Sequence, residues 1–335
     1  MRTSFGVMRE RPALFVRIEE TDGAVGWGEA WCNFPDCGAE HRARLVETVF
    51  APMLQGVTPN EPADVTRELM RRTAVLAIQS GEPGPIHQCI AAIDIALWDL
   101  AARHAGQPLW RMLGGSDPRI GAYASGINPE GPERVAAKCR DEGHRAFKLK
   151  VGFGERTDLA NLHAVREAIG AEAALMADAN QAWNLETATA MARQMVPFDL
   201  GWLEEPLRAD RPWPEWQALA ASTGIPLAGG ENIAGIEAFD EALEAGALRV
   251  VQPDAAKWGG ISGCIEVARR VRRSGRRYCP HYLGGGIGLL ASAHLLAAAG
   301  GDGLLEIDAN ANPLRTLTCG AVAAVRDGMV VLDDT

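Results

Sequence analysis

The apolar positions change their period along the chain. Ala13–Glu19 alternates as a strand does, Thr21-Asp22-Gly23 supplies a turn, and Val25–Ala30 reads as the returning strand. Two helical segments follow, around 38–54 and 61–79. A third, Ile86–His104, places Ile90, Ile93, Leu97 and Leu100 on one stripe and ends at Gly106 and Pro108. The front of the chain is therefore α+β.

From about residue 119 short apolar runs alternate with helix-length amphipathic segments. The strand candidates are Ile120–Ala124, Ala146–Val151, Ala174–Ala179, Leu200–Glu204, Pro226–Glu231, Leu248–Asp254, Arg277–His281 and Leu304–Asp308. The last seven carry Lys150, Asp178, Glu204, Glu231, Asp254, His281 and Glu306, with gaps of 28, 26, 27, 23, 27 and 25 residues. A strand, a helix and two short loops fill about that period. Eight such units predict a closed (β/α) barrel, an α/β fold, rather than an open doubly wound sheet. No GxGxxG opens a helix after a strand. Gly284-Gly285-Gly286-Ile287-Gly288 lacks the Lys-Ser/Thr of a P-loop and reads as a flexible βα turn.

Composition narrows the partners. The 335 residues suit two domains, and a net charge of −10 argues against nucleic acid or an anionic membrane surface. The longest apolar stretch, Leu289–Ala299, is broken by Ser292 and His294 and is short of a membrane span. No apolar segment near Met1 reads as a signal peptide, and seven scattered cysteines read as the thiols of a cytoplasmic protein. Cys32 and Cys37 lack the second ligand pair that structural zinc needs.

In a barrel, the C-terminal strand ends gather the active residues. Asp178, Glu204 and Glu231 end three consecutive predicted strands, so their carboxylates can converge. Unpaired they would repel; a divalent cation with room for water and substrate, Mg²⁺, removes the conflict. The plainer alternative is three solvated surface acids. Lys148 and Lys150 share one strand face, and mutual repulsion is expected to lower the pKa of one into the range of a base, unless they are snorkelling lysines of an edge strand. His281 at the seventh strand end neighbours Asp254 at the sixth, a pair suited to acid–base work. A hydrolase is the competing use, but no G-x-S-x-G is present. A metal-dependent hydrolase would show more histidines on the strands, and a non-catalytic metal- and acid-binding barrel would not need two bases. Metal carboxylates flanked by bases suit removal of a proton α to a carboxylate, with the enediolate stabilised by the cation.

Ala96-Leu97-Trp98-Asp99-Leu100, Lys148-Leu149-Lys150, Asp178-Ala179-Asn180, Glu204-Glu205-Pro206, Gly230-Glu231-Asn232, Gln252-Pro253-Asp254, Lys257-Trp258-Gly259-Gly260 and Glu306 occur in this order over nearly the whole chain. In that order the chain resembles the mandelate racemase subgroup of the enolase superfamily. The resemblance implies a modified (β/α)₇β barrel over residues 119–310. A capping domain would comprise residues 1–118, without the family's first strand, and the returning segment 311–335. It implies one Mg²⁺ per subunit on Asp178, Glu204 and Glu231. Lys150 would be the base on one face and His281, paired with Asp254, on the other. Lys148, Asn180 and Glu306 would contact the substrate carboxylate or the enediolate. Asp254 stands where muconate-lactonising relatives carry a lysine base, which sets cycloisomerase readings behind and makes Lys257 a supporting residue away from the metal. Substrate-selecting loops would be Thr3–Gly6 and the Trp31–Pro35 stretch, with Trp31 and Phe34 as contacts. Their lack of Arg or Lys disfavours a second substrate carboxylate. The expected activity is dehydration of an acid sugar in carboxylic acid catabolism, with racemisation as the alternative, by a homo-oligomer.

Overall fold

The computed structural model describes residues 6, 8–57 and 61–333. Of Thr3–Gly6, only Gly6 lies among them. The front region opens with an antiparallel hairpin, β1 (Leu14–Glu19) and β2 (Val25–Ala30), in register from Leu14 opposite Ala30 to Glu19 opposite Val25. Helix α1 (Gly38–Leu45) runs through a π turn at Val46–Phe50 into α2 (Ala51–Leu54); α3 (Pro62–Ser80), α4 (Pro83–Ala105) and the short α5 (Leu109–Met112) follow. Gly106, in the left-handed region at φ 61°, ends α4.

Helix α4 is buried on nearly every face, not on one stripe alone. On one side it packs with the hairpin, Phe50 and Leu69; on the other Ile95 joins Ile261, Cys264 and Leu295 of the barrel helices. Gly26 and Gly28 make the first contact possible. A Cβ at either would lie far inside van der Waals contact distance of the Ala96 or Ala92 carbonyl oxygen.

The second sheet is built from alternating units: β3 (Arg119–Ile127), α6 (Pro132–Asp141), β4 (Ala146–Lys150), α7 (Glu155–Ile169), β5 (Ala174–Asp178) and α8 (Leu185–Met195). It continues with β6 (Leu200–Glu204), α9 (Trp213–Ser222), β7 (Leu227–Gly229), α10 (Ile236–Ala245) and β8 (Leu248–Val251). The last units are α11 (Gly260–Arg273), β9 (Arg277–Tyr278), α12 (Gly286–Ala299), β10 (Leu304–Asp308), α13 (Pro313–Thr316) and β11 (Met329–Val331). Strand order is β10-β3-β4-β5-β6-β7-β8-β9, with β11 antiparallel on the first residues of β3. Between β9 and β10 the Leu304 amide donates to Cys279 Sγ at 3.3 Å and the Tyr282 amide to Glu306 at 3.0 Å. The fold is a modified TIM barrel with a capping domain.

Period two organises the interior. Tyr123, Ala146, Met176, Trp202, Ala228, Val250 and Cys279 form an apolar plug inside the barrel. Two residues further on stand Ser125, Lys148, Asp178, Glu204, Gln252 and His281. Side chains of the other parity, such as Phe147, Leu149, Leu175, Ala177 and Leu203, join the outer core under the helices. The apolar segment Leu289–Ala299 belongs to α12, and among the described residues no helix is long and apolar enough to cross a membrane.

Three predicted strands end early. Glu231, Asp254 and His281 lie in the loops beyond β7, β8 and β9 rather than on the strands. Gly230, at φ 138°, turns the chain after β7, and Pro253 and Pro280 cannot donate to a ladder. Glu306 sits mid-strand in β10.

Candidate active site

Each strand of the barrel delivers polar groups to one end. Going round from β4 these are Lys148 and Lys150, Asp178, Glu204, Glu231, Asp254, His281, Glu306 and, on β3, Ser125. Nearly all are buried, and each charge has a partner.

Lys148 Nζ lies 2.6 Å from Glu204, 2.7 Å from Glu306 and 3.7 Å from Asp178, over the Tyr123 ring. Lys150 Nζ lies 2.5 Å from Asp178. Burial alone would lower both lysines, but the carboxylates outweigh it. Glu204 and Glu306 hold Lys148 well above the usual range, and Asp178 raises Lys150 despite Lys148. The expected lowering of a lysine pKa is thus reversed, because anions outnumber the paired ammonium groups.

Burial pushes Glu204 up to about 7, although it also accepts from Trp202 Nε1 at 3.1 Å and Gln252 Nε2 at 2.6 Å. Glu231 faces His281 Nε2 and Lys257 Nζ, both at 2.9 Å. Burial would raise Glu231, but those two cations hold it well below the usual range. His281 Nδ1 meets Asp254 at 2.8 Å, and Asp254 in turn accepts from the Ala256 and Lys257 amides. Burial opposes charge on His281, yet Glu231, Glu306 and Asp254 raise its pKa well above normal. Glu306 accepts from Ser125 and the Tyr282 amide; burial is outweighed by Lys148 and His281, which bring it to about 2. The Asn180 amide donates to Asp178 at 2.8 Å, with Asn180 itself held at φ 43°.

Lys257 is closer to the centre than the sequence implies. Besides Glu231, its ammonium lies 4.7 Å from the centroid of the Trp31 ring, so Trp31 reaches the mouth through a cation–π contact. Phe34 lies beside Trp31, with ring centroids 6.2 Å apart and planes tilted by 49°. Tyr123, Ser125, Trp202, Glu205 and Gln252 carry contacts that sequence reasoning missed. Their signal was the period of two that ties Trp202 to Glu204 and Gln252 to Asp254. Glu205 is buried and accepts from Asn232 at 2.8 Å. Arg11, beyond the loops first considered, pairs with Asp308 at the end of β10, and its Nε and Nη2 are buried without a hydrogen-bond partner among the described residues.

The donor chemistry at this end suits a divalent cation. Asp178 and Glu204 are register neighbours on β5 and β6, and Glu231 follows β7, so three hard oxygen donors come from adjacent elements. Each already has a cation beside it, which marks the negative potential a metal would meet. They do not form one tight shell. Among the described residues, the group whose ligand atoms all lie within 4.8 Å of one another is Glu20, Asp22 and His104, at the hairpin tip. Cys32 and Cys37 are free thiols outside that group.

Comparison with known proteins identifies the family. A family described as "Enolase C-terminal domain-like" matches residues 133–335, and "Mandelate racemase / muconate lactonizing enzyme, N-terminal domain" matches residues 1–114. D-galactarolactone cycloisomerase of Agrobacterium fabrum (strain C58) is 32% identical over 340 residues, spanning 97% of this chain and 87% of the relative. A mandelate racemase/muconate lactonizing enzyme structure from Bordetella bronchiseptica RB50 is 62% identical with a TM-score of 0.95, covering 97% of this chain and 90% of that one. L-talarate dehydratase from Polaromonas sp. JS666, solved with Mg and L-glucarate, is 28% identical with a TM-score of 0.83, covering 98% and 89%.

Proposed function

Because this chain belongs to the mandelate racemase / muconate lactonizing enzyme family of the enolase superfamily, we propose that it removes the α-proton of an acid sugar and dehydrates it to a 2-keto-3-deoxy acid. The chain is an enzyme of the superfamily's lyase and isomerase classes. In this reading residues 119–310 form the catalytic barrel, and 1–118 with 311–335 form the cap. The observation that carries it is the flanking of three carboxylates, Asp178 and Glu204 buried and Glu231 nearly so, by Lys150 on β4 and the His281–Asp254 pair beyond β8 and β9.

Asp178, Glu204 and Glu231 would hold one Mg²⁺, which would supply Lewis-acid stabilisation of developing charge on the substrate carboxylate. Lys150, whose pKa Asp178 raises, would take the α-proton from one face once that carboxylate is engaged by the cation and no longer holds the ammonium. His281, held by Asp254 Oδ2 at 2.8 Å, stands on the other and returns a proton to the departing 3-hydroxyl, which leaves as water. The resulting enol tautomerises to the keto acid. Lys148, Asn180 and Glu306 contact the substrate carboxylate and its enediolate, and Trp31 and Phe34 wall the entrance.

The D-galactarolactone cycloisomerase relative favours a second reading, in which the oxygen expelled from the β-carbon belongs to a ring. Racemisation would use the same two bases without a leaving group. A screen of acid sugars, their lactones and α-hydroxy acids separates the three. Dehydration releases keto acid and water, ring opening consumes a lactone, and racemisation changes optical rotation alone. Exhaustive chelation should abolish turnover and Mg²⁺ restore it; full activity after chelation would sink the metal assignment.

A further inference from the structure

The loops that carry Asp254 and His281 each run directly into a helix, α11 or α12. The first amides of a helix have no partner within it, and Gly259 and Gly285 at the two N-caps have no side chain to offer. The front region supplies what they lack. Glu29 of β2 accepts from the Gly285 amide at 2.5 Å and the Gly288 amide at 2.9 Å. Asp94 of α4 accepts from the Ser262 amide at 3.0 Å, and from the Ser262 and Thr66 hydroxyls at 2.5 Å each. Both carboxylates are buried, and among the described residues neither has an ion-pair partner. A lone buried carboxylate is costly; here the positive ends of two helices compensate it.

The fit allows no slack. A Cβ at Gly285 would lie 2.6 Å from Glu29 Oε1, and one at Gly260 would overlap the Asp94 carboxylate. Two more front-region contacts reach the same loops: Asn33 Nδ2 donates to the Leu283 carbonyl at 2.6 Å, and the Trp31 amide to the Ala256 carbonyl at 3.1 Å. The glycine-rich turn is thus a clamped segment, not a flexible one. The opposite side of the mouth is different. The loop after Lys150 is fastened by Asp158 of its own helix α7, which accepts from the Gly152 amide at 2.9 Å and the Phe153 amide at 3.1 Å.

We propose that Glu29 and Asp94 are positioning residues through which the cap sets the Asp254–His281 pair, while Asp158 of the barrel fastens the loop after Lys150. The inference rests on the reading of His281 as an acid–base group. The test uses the full-length magnesium-loaded protein with ¹⁵N-histidine, and follows the His281 ring signals and hydrogen exchange of amides 281–288 and 150–154. Glu29→Ala should broaden or shift the His281 signals and speed exchange at 281–288 at least tenfold, leaving 150–154 unchanged. Glu29→Gln, which keeps one acceptor, should restore much of both. Asp158→Asn should do the reverse, disturbing 150–154 and sparing His281. Asp94→Asn supplies a second test should Glu29→Ala not fold. Wild-type His281 signals and loop exchange in folded Glu29→Ala, or equal disturbance of His281 by Asp158→Asn, would overturn the proposal. A displaced His281 with unchanged turnover of the substrate found by screening would uphold the positioning and overturn the acid–base role instead.

Discussion

The mouth of the barrel and the seam between β2 and α4 are both close-packed, but for opposite reasons. At the mouth, long charged side chains meet across 2.5–2.9 Å: Lys150 with Asp178, Lys148 with Glu204 and Glu306, Lys257 and His281 with Glu231. At the seam, glycine backbone lies against helix backbone at Gly26 and Gly28, with Trp27 donating its amide to Asp99 at 2.8 Å. The mouth is constrained by charge balance and the seam by volume. A substitution that conserves shape but removes charge should therefore be felt at the first, and one that adds a methyl group at the second.

The largest effects are expected at the mouth and in rate. Lys150→Met and His281→Asn keep the approximate volume; the first should lower α-proton removal and the second release of keto acid, each by roughly 10²–10⁴-fold, read as loss of α-deuterium exchange in D₂O and of keto-acid formation with the substrate found by screening. The unfolding midpoint should fall as well, because each variant removes one partner of a buried ion pair, Lys150 from Asp178 or His281 from Asp254 and Glu231. Wild-type exchange in the first and wild-type keto-acid release in the second would break the two-base reading. Lys148→Met comes next and is expected in stability as well. It leaves Glu204 and Glu306 facing one another with their shared ammonium gone, and breaking a buried ion pair from one side costs about 3–5 kcal/mol. Urea unfolding at pH 7 measures this, and an unchanged midpoint would show that the mouth does not depend on charge balance.

Much of the mouth was legible because a strand has a period of two. Lys148 and Lys150 share a face, and Lys148, Asp178, Glu204 and His281 each stand above an apolar plug residue two places earlier, as Asp178 does above Met176. The barrel was legible from the recurrence of strand-sized runs. The early ends of β7, β8 and β9 were visible only as Gly230, Pro253 and Pro280, whose effect on a ladder outweighs the apolar run around them. Pairwise electrostatics was not legible. Local repulsion between Lys148 and Lys150 is plain in sequence, but Glu306, which helps reverse its effect, is more than 150 residues away. The cap's hold on the barrel was hidden for the same reason: Glu29 and Gly285 are 256 residues apart.

The seam gives a smaller, sterically defined effect. In Gly28→Ala the added methyl group meets the Ala92 carbonyl oxygen, part of helix backbone that cannot rotate away. A cost near 3 kcal/mol, the upper part of the range for overpacking, is expected. Trp27→Phe, a neighbour half open to solvent, keeps the Asp99 bond through its amide and should cost under ~0.5 kcal/mol. Equal costs for the two, read from urea midpoints, would mean that the seam is not limited by volume.

The smallest expected effect runs against the contrast, since the cap–barrel contact also holds titratable groups. His294 on α12 accepts the Trp110 amide at Nδ1, and burial lowers its pKa to about 4; burial lowers His144 to about 4 as well. Asp94 is raised by burial to about 6. For the histidines the unfolded chain binds protons first, so their contribution to stability is lost as pH falls from about 6.5 towards 4. Asp94 acts in the other direction: the folded chain holds its proton more tightly, so its contribution is lost as pH rises through about 6. Each group changes stability by at most about 1.4 kcal/mol per pH unit within its window. Urea midpoints between pH 7 and 4.5 should show His294→Gln falling less steeply with acid than the parent, and Asp94→Asn falling more steeply. Taking differences from the parent cancels the contribution of the mouth, which is common to all three proteins. Parallel curves would mean that the cap–barrel contact is governed by volume alone and that buried charge matters only at the mouth.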